Sequence, residues 1–185
     1  MKTAFLFVDL LEDFFVRPPL CELRASIVRA TNELTRYARA HSIPVIWVRQ
    51  EFEPDLRDAF LLMRDFGARI TIKGTDGCKL LAGIEVGPQD YEVIKKRYSA
   101  FFGTGLQELL SSLKCEQLVV GGVNSHACVR STAVDAYQRD LRIVLARDSI
   151  SSYDDEYHRE SMRYLAQSIG KPLSNKQLIE YLGLA

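Results

Sequence analysis

The chain has 185 residues, 47% of them hydrophobic, and its 24 lysines and arginines balance its 24 aspartates and glutamates. This length is enough for one domain with a full core, and no linker rich in Pro, Gly or Ser divides it, so we expect a single domain over residues 1–185. Without net positive charge, neither nucleic acid nor an anionic membrane is an expected partner, which leaves a small molecule as the expected ligand.

The first predicted strand is the apolar run Thr3–Val8, which is rich in β-forming residues and ends at Asp9. A continuous apolar run of this length is typical of a strand buried on both faces of a parallel sheet. Asp9 is therefore expected at the carboxyl end of a strand. The run is far too short for a signal peptide or a membrane span, so we expect a cytoplasmic protein.

A helix and a second strand follow this first strand. Residues 43–48 form the next apolar run and predict a buried strand. A short helix is expected over about residues 55–65, and the glycine-rich stretch 67–87 is expected to be loop. The helix between the two strands is predicted from apolar residues at spacings of three and four, namely Leu23, Ile27, Ala30, Leu34 and Ala38.

The second half of the chain continues the alternation of strands and helices. Strands are predicted over residues 91–95, 118–123 and 142–146, and residues 104–107 have the capping-box spacing of a helix start. A helix beginning at or just before Cys128 is predicted, followed by helices over about 154–168 and 175–182. The alternation predicts an α/β fold, a three-layer doubly wound sandwich whose mostly parallel sheet has five or six strands.

Three reactive side chains are predicted at the carboxyl-terminal edge of this sheet, where open α/β sheets bind ligands. They are Asp9, Lys95 and Cys128. Cys128 is expected at a helix N-terminus, where the helix dipole and free backbone N–H groups favour an anion. We therefore expect the pKa of this thiol to lie below its ordinary value, and the thiol to react first with alkylating agents.

Each of these residues also has an ordinary structural interpretation. Cysteine is among the most often buried residues, an Asp at a strand end is commonly a turn residue, and Lys95 beside Lys96 fits a solvated pair. His126 suits an exposed turn as well as a catalytic base. Composition and spacing alone therefore leave the function open. The remaining cysteines, expected to be reduced thiols without paired spacing, are Cys21, Cys78 and Cys115.

Three separated motifs stand in order along the chain. They are Asp9 after the leading strand, then Lys95, Arg97, Tyr98, Ser99, Ala100, Phe101, Gly103 and Thr104, and finally Gly122, Val123, Ser125, Cys128, Val129, Thr132, Asp135 and Ala136. Together they resemble the isochorismatase-like cysteine hydrolases, over about residues 3–149. The resemblance implies a hydrolase of small molecules that forms a homodimer or homotetramer.

The resemblance also implies a catalytic triad of Asp9, Lys95 and Cys128. In that family the Cys is the nucleophile, the Asp moves protons and the Lys supplies positive charge. The family's lysine stands four residues before the Ser of the aromatic turn, so Ser99 selects Lys95 over Lys96. Adjacent residues of a strand point to opposite faces, so only one of these two lysines can face the site.

An oxyanion hole is the next implied feature. The backbone N–H groups of Asn124 and Cys128 are its implied donors, with a cis peptide between Val123 and Asn124. Ser125 stands where the family often has Thr, a departure that keeps the hydroxyl.

Branches of the family differ in metal use and in the bond they cleave. The nicotinamidase branch binds a metal through an Asp and histidines after the second strand, and residues 47–52 contain no histidine, so no metal or other cofactor is expected. The branch that hydrolyses the vinyl ether of isochorismate does not rely on a cysteine nucleophile. Cys128 therefore favours cleavage of a C–N bond in an amide, ureido or carbamoyl compound. A redox-sensing or interaction protein without enzymatic activity is the alternative of another class.

Residues that contact the substrate are the least constrained by the sequence. Arg49 and Arg97 are candidates for holding a substrate carboxylate, although a surface salt bridge is the commoner role of an Arg. Aromatic residues near such a site belong to the core as often as to a pocket. The candidates for lining a small, largely apolar pocket are Phe14, Gln50, Tyr98 and Phe101.

Overall fold

A six-stranded, entirely parallel sheet forms the middle layer of the computed structural model, which describes residues 1–183. The strands are β1 (Thr3–Val8), β2 (Val45–Gln50), β3 (Tyr91–Lys95), β4 (Gln117–Gly122), β5 (Arg142–Ile150) and β6 (Gly170–Leu173). Their order in the sheet is β3-β2-β1-β4-β5-β6. The predicted doubly wound α/β architecture is confirmed. The last two residues of the predicted domain, Leu184 and Ala185, lie outside the described residues.

Helices cover both faces of this sheet and make the outer layers. The helices are α1 (Leu20–Ala40), α2 (Leu61–Phe66), α3 (Leu106–Ser112), α4 (Arg130–Tyr137), α5 (Asp155–Ser168) and α6 (Asn175–Gly183). Alternate side chains of β1 enter two separate cores. Ala4, Leu6 and Val8 pack with α3, α4 and α5, whereas Phe5 and Phe7 pack with α1 and α6. Such two-sided burial explains why β1 is apolar throughout.

The helix expected over residues 55–65 is wrong in its first half. Leu56 has a φ of 61°, in the left-handed region, which ends any α-helix that would run through it. The Asp58 carboxylate accepts the backbone N–H of Glu53 at 2.9 Å and so closes a turn instead. Only α2 is helical here, and none of its residues is buried.

Smaller differences occur at other element ends. β2 starts at Val45 because Ile43 still donates its backbone N–H to Ala38 at the end of α1, and β5 runs on to Ile150. The predicted capping box is incomplete, since Gln107 donates to Ser111 instead of turning back to Thr104. Stretch 67–87 holds one 3₁₀ turn, Asp76–Cys78, in agreement with the predicted loop.

Within residues 1–183, no helix is long and apolar enough to cross a membrane.

Candidate functional site

The candidate site lies where the strand order reverses, between the carboxyl ends of β1 and β4. Parallel sheets of this kind open a crevice at such a point. Here β4 leaves no room for a side chain beside β1, because a Cβ on Gly122 would stand 2.0 Å from the carbonyl oxygen of Val8. Gly122 also has a φ of 121°, which favours glycine. Asp9 directly follows β1 and Asn124 lies two residues after β4, so both stand at this edge of the sheet.

Lys95 joins the three predicted side chains into one cluster. Its Nζ lies 2.6 Å from Oδ2 of Asp9 and 3.4 Å from Sγ of Cys128, and it donates to the carbonyl oxygen of Arg97 at 3.1 Å. The side chains of Lys95 and Asp9 are completely buried. A buried ammonium has three protons to satisfy, and here each of them has an acceptor.

Asp9 is oriented by backbone groups from β2. Its Oδ1 accepts the N–H of Gln50 at 2.7 Å, and its own N–H donates to the carbonyl of Val48 at 2.9 Å. With a φ of 55°, Asp9 occupies the left-handed region, which Asp tolerates better than most residues. One carboxylate oxygen is thus held by the backbone, and the other is left to face Lys95.

Lys96 points to the other side of β3. It pairs with Asp58 at 2.8 Å, donates to the carbonyl of Glu51, and keeps about a third of its side chain exposed. The strand alternation therefore places Lys95, and not Lys96, beside Cys128 and Asp9. The position chosen from the spacing to Ser99 agrees with this geometry.

The pKa of the Cys128 thiol departs from the sequence-based expectation. Burial, with 4% of the residue exposed, raises this pKa, and the negative charge of Asp9 raises it further, while Lys95 lowers it only in part. The prediction of a lowered thiol pKa is therefore wrong in direction. The expectation that alkylating agents modify this thiol first stays a prediction. Burial also lowers the pKa of Lys95, but Asp9 and Cys128 outweigh it and leave that pKa above its ordinary value. A thiol with a raised pKa is protonated at neutral pH, and here it lies beside the contact between Lys95 and Asp9.

The turn that precedes Cys128 contains the cis peptide between Val123 and Asn124 that the resemblance implies. A π-helical turn, Ser125–Val129, follows and leads into α4, so Cys128 lies in the first turn of this helical segment as predicted. Among residues 1–183, no hydrogen-bond acceptor pairs with the backbone N–H of Asn124. The assignment of this N–H and that of Cys128 to an oxyanion hole stays a prediction.

Two hydrogen bonds tie the turn after β3 to the helix after Cys128. Ser99 donates its hydroxyl to the carboxylate of Asp135, and Thr132 accepts the backbone N–H of Ala100 at 3.0 Å. These bonds fix the end of β3, and therefore Lys95, relative to α4. The motif residues Ser99, Thr132 and Asp135 therefore share one role, which is to hold the turn after β3 against α4.

The predicted pocket residues have different surroundings. Tyr98 is 52% exposed and its ring lies 4.8 Å from that of Phe60. Gln50 is buried and donates to the hydroxyl of Thr71 at 3.3 Å. Phe14 packs against the core beneath α1, and Phe101 packs in the core cluster that includes Cys128. Contact between these four side chains and a substrate stays a prediction.

Both candidate arginines already have partners within the protein. Arg49 forms ion pairs with Glu92 at 2.6 Å and with Glu51 at 3.4 Å. Arg97 donates to the backbone carbonyls of Asp58 and Lys96, and its guanidinium lies 5.3 Å from the ring centre of Phe60. A substrate carboxylate would have to compete with these contacts.

An aromatic rim beside the crevice was not anticipated from the sequence. His126 lies against the rings of Tyr153 and Tyr157, at centroid distances of 4.9 and 5.1 Å, and its Nδ1 shares a hydrogen bond of 2.7 Å with Ser152. Burial lowers the pKa of His126, and Asp154 opposes this in part. The strand predicted at 142–146 runs on to Ile150 in the structure, so the segment that carries Tyr153 begins four residues later than the sequence predicts.

Residues that could hold a metal ion do not gather in the described chain. Over residues 1–183, no three or more His, Cys, Asp or Glu side chains are grouped in a way that would bind one. Independence from a metal cofactor stays a prediction that chelation can test.

Comparisons with known proteins agree with the sequence motifs. The sequence profile of the isochorismatase domain matches residues 3–177. A probable inactive nicotinamidase of Arabidopsis thaliana is 32% identical over 165 residues, which cover 85% of this chain and 84% of that protein. Enterobactin synthase component B of Escherichia coli (strain K12) is 26% identical over 180 residues, covering 96% of this chain. This chain spans only 63% of the length of that relative.

A solved structure extends the similarity to the whole fold. The crystal structure of N-carbamoylsarcosine amidase from Thermoplasma acidophilum superimposes with a TM-score of 0.80 at 25% sequence identity. The match covers 95% of this chain and 97% of the amidase chain.

Proposed function

Because the chain belongs to the isochorismatase family of hydrolases, we propose that it is a cysteine hydrolase that cleaves a C–N bond of a small amide, ureido or carbamoyl compound. The observation that carries this proposal is the buried Lys95, whose Nζ lies within 3.4 Å of both Asp9 and Cys128. A merely structural cysteine needs neither a carboxylate nor an ammonium group beside it. The similarity to N-carbamoylsarcosine amidase supports the same bond type.

In the first half of the reaction, Asp9 acts as the general base. It accepts the thiol proton while Sγ of Cys128 attacks the carbonyl carbon of the substrate, so that a thiolate need not exist beforehand. The raised thiol pKa fits this order of events, because the proton leaves only when attack consumes the developing charge. Lys95 offsets the negative charge that passes between Asp9 and the sulfur. The N–H groups of Asn124 and Cys128 would receive the oxyanion.

The tetrahedral intermediate then breaks its C–N bond. Protonated Asp9 gives its proton to the leaving nitrogen, which departs as ammonia or an amine and leaves a thioester on Cys128. Asp9 next accepts a proton from water as the water oxygen attacks the thioester carbonyl. The C–S bond breaks, the acid product leaves, and the sulfur regains its proton from Asp9.

Hydrolysis of a vinyl ether is the second candidate, since the family includes enzymes of isochorismate. Such a reaction releases a carbonyl compound and no amine. It also needs groups that bind the substrate's carboxylates, and Arg49 and Arg97 are both engaged elsewhere. These observations favour C–N cleavage.

The decisive experiment is a panel of amide, ureido, carbamoyl and vinyl-ether compounds incubated with the purified protein. We expect ammonia or amine release from at least one nitrogen compound, with mass spectrometry detecting an acyl group on Cys128 when the reaction is quenched early. Activity should survive dialysis against EDTA. Release of a carbonyl product from the vinyl ether alone, or no turnover of any compound, would contradict the proposal.

A further inference from the structure

Ser125 lies between the two backbone N–H groups proposed for the oxyanion hole, and every polar group it has is bonded. Its N–H donates to the carbonyl of Ser151 at 2.9 Å. Its carbonyl accepts the hydroxyl of Ser161 at 2.8 Å, and its own hydroxyl shares a hydrogen bond of 3.0 Å with Nδ1 of His158. Ser125 itself is completely buried. The position of this residue is therefore fixed from three directions.

Two of these three bonds come from one face of α5. His158 and Ser161 are three residues apart, so their side chains leave the helix on the same side. Ser161 is 1% exposed, and His158 is half-buried. Burying polar side chains costs free energy unless they are hydrogen-bonded, and an apolar pair would fill the same space without that requirement. Two polar side chains directed at one residue point to a role in placing that residue.

We propose that His158 and Ser161 are positioning residues that hold the oxyanion turn through Ser125. This inference rests on the proposed hydrolysis. Neither residue touches the reacting atoms; each acts by fixing Ser125, which lies one residue after Asn124 and three before Cys128. A displacement of Ser125 would move both N–H donors away from the oxygen they are to stabilise, and misplacement by about 1 Å can cost a hundredfold in rate.

Burial supports a neutral imidazole in this role. It lowers the pKa of His158, against a smaller opposing effect of Asp155, so the ring carries no charge at neutral pH. A neutral ring can share a hydrogen bond with a serine hydroxyl without bringing a buried charge close to the thiol. A neutral amide should therefore replace it.

The test is a set of variants assayed on whichever substrate the wild-type protein cleaves. His158→Ala should lower kcat about tenfold to a hundredfold while KM changes less than about threefold, because ground-state binding does not use the oxyanion donors. His158→Asn should restore most of kcat, since its amide stands where Nδ1 stood. His41→Ala is the matched control: His41 is exposed, its Nδ1 is hydrogen-bonded to the carbonyl of Tyr37 at 2.8 Å, and its loss should leave kcat unchanged.

A double-mutant cycle shows whether His158 works through Ser125. If it does, His158→Ala combined with Ser125→Ala should be no slower than Ser125→Ala alone, whereas independent roles would multiply the two losses. The amide NMR signals of Asn124 and Cys128 give a readout without turnover, and they should shift in His158→Ala but not in His41→Ala. Should His158→Ala fail to fold, Ser161→Ala tests the same prediction, because it removes the other hydrogen bond from α5 to Ser125.

The outcomes separate this inference from the proposed function. A wild-type protein that cleaves no compound contradicts the proposed hydrolysis, while unshifted amide signals in His158→Ala contradict the positioning role on their own. An active wild type with wild-type kcat in His158→Ala, equal loss of kcat in the Asn variant, or multiplicative losses in the cycle would also overturn the positioning role.

Discussion

The turn after β4 and the long segment after β2 leave the same edge of the sheet, yet they are held in very different ways. In the turn, residues 123–129, Ser125 uses all its polar groups and Cys128 is almost fully buried. In the segment, residues 51–90, α2 buries none of its residues, and Leu62 and Phe66 are 68% and 81% exposed. The segment has its own small core, formed by Phe52, Leu56, Ala59 and Ile72.

This difference separates the chemistry of the site from its surroundings. A nucleophile and its oxyanion donors have to keep their geometry within fractions of an ångström, which requires dense hydrogen bonding and packing. A loop with a separate small core can change without disturbing that geometry. We therefore expect the turn to determine which bond is cleaved, and the segment to influence which molecule reaches it.

The two regions each contain a buried cysteine, which permits the strongest test of this comparison. Cys128→Ala should lower kcat by at least about 10⁴-fold and remain folded, because only the proposed nucleophile is lost. Cys78→Ala should keep kcat and lose about 1–2 kcal/mol of unfolding free energy, since a packed thiol that donates to Thr75 is removed. Turnover assays and thermal melts measure both. Substantial activity in Cys128→Ala would contradict the covalent mechanism.

A pair of glycines compares the packing of the two regions. Gly122→Ala should cost at least about 4 kcal/mol or prevent folding, because its Cβ would meet the carbonyl of Val8 and its φ is 121°. Gly74→Ala, in the segment, should cost only about 1–2 kcal/mol, since its φ is 82° but no atom lies within 4 Å of the added Cβ. Urea unfolding gives both values. Equal costs would show that the close approach of β4 to β1 is not needed.

Lys95, the last residue of β3, and Lys96, the residue after it, face the two regions separately. Lys95→Met should reduce kcat about 10²- to 10³-fold and destabilise the fold by about 3–5 kcal/mol, because it leaves the Asp9 carboxylate buried without its partner. Lys96→Met removes a partly exposed ion pair to Asp58 and should cost less than about 1 kcal/mol with kcat preserved. A larger loss of kcat in Lys96→Met than in Lys95→Met would show that Lys96, and not Lys95, supplies the catalytic positive charge.

The smallest expected effect is a dependence of stability on pH. Burial lowers the pKa values of His126 and His158 in the folded protein, with Asp154 and Asp155 opposing in part, and the segment 51–90 has no histidine. Below about pH 6.5 the unfolded chain therefore binds protons that the folded chain does not, so stability is full above that pH and declines as the pH falls. Unfolding free energies measured between pH 7.5 and 5 should show this decline, and His158→Asn should reduce it. If the decline of unfolding free energy with falling pH is as steep in His158→Asn as in the wild type, His158 does not contribute to it.

Local sequence determined much of this protein. The apolar run Thr3–Val8 predicts a strand buried on both faces, and the side chains of β1 do enter two cores. The family resemblance selects Lys95 over Lys96 through the spacing to Ser99, and strand alternation implies that the two side chains point to opposite faces. Such features can be predicted because they depend on residues a few positions apart. The repeat of a strand or helix sets the directions in which those side chains point.

Tertiary structure alone decided the features that depend on distant residues. The pKa of Cys128 rises because folding buries the thiol and places the Asp9 carboxylate beside it, neither of which the position at a helix start could reveal. The late start of the helix expected at 55–65 depends on Asp58, which also pairs with Lys96 just after β3. Strand β6 forms because β5 offers it a partner edge. Burial, charge pairing and strand addition are properties of the neighbours a residue acquires on folding, and those neighbours lie far away along the chain.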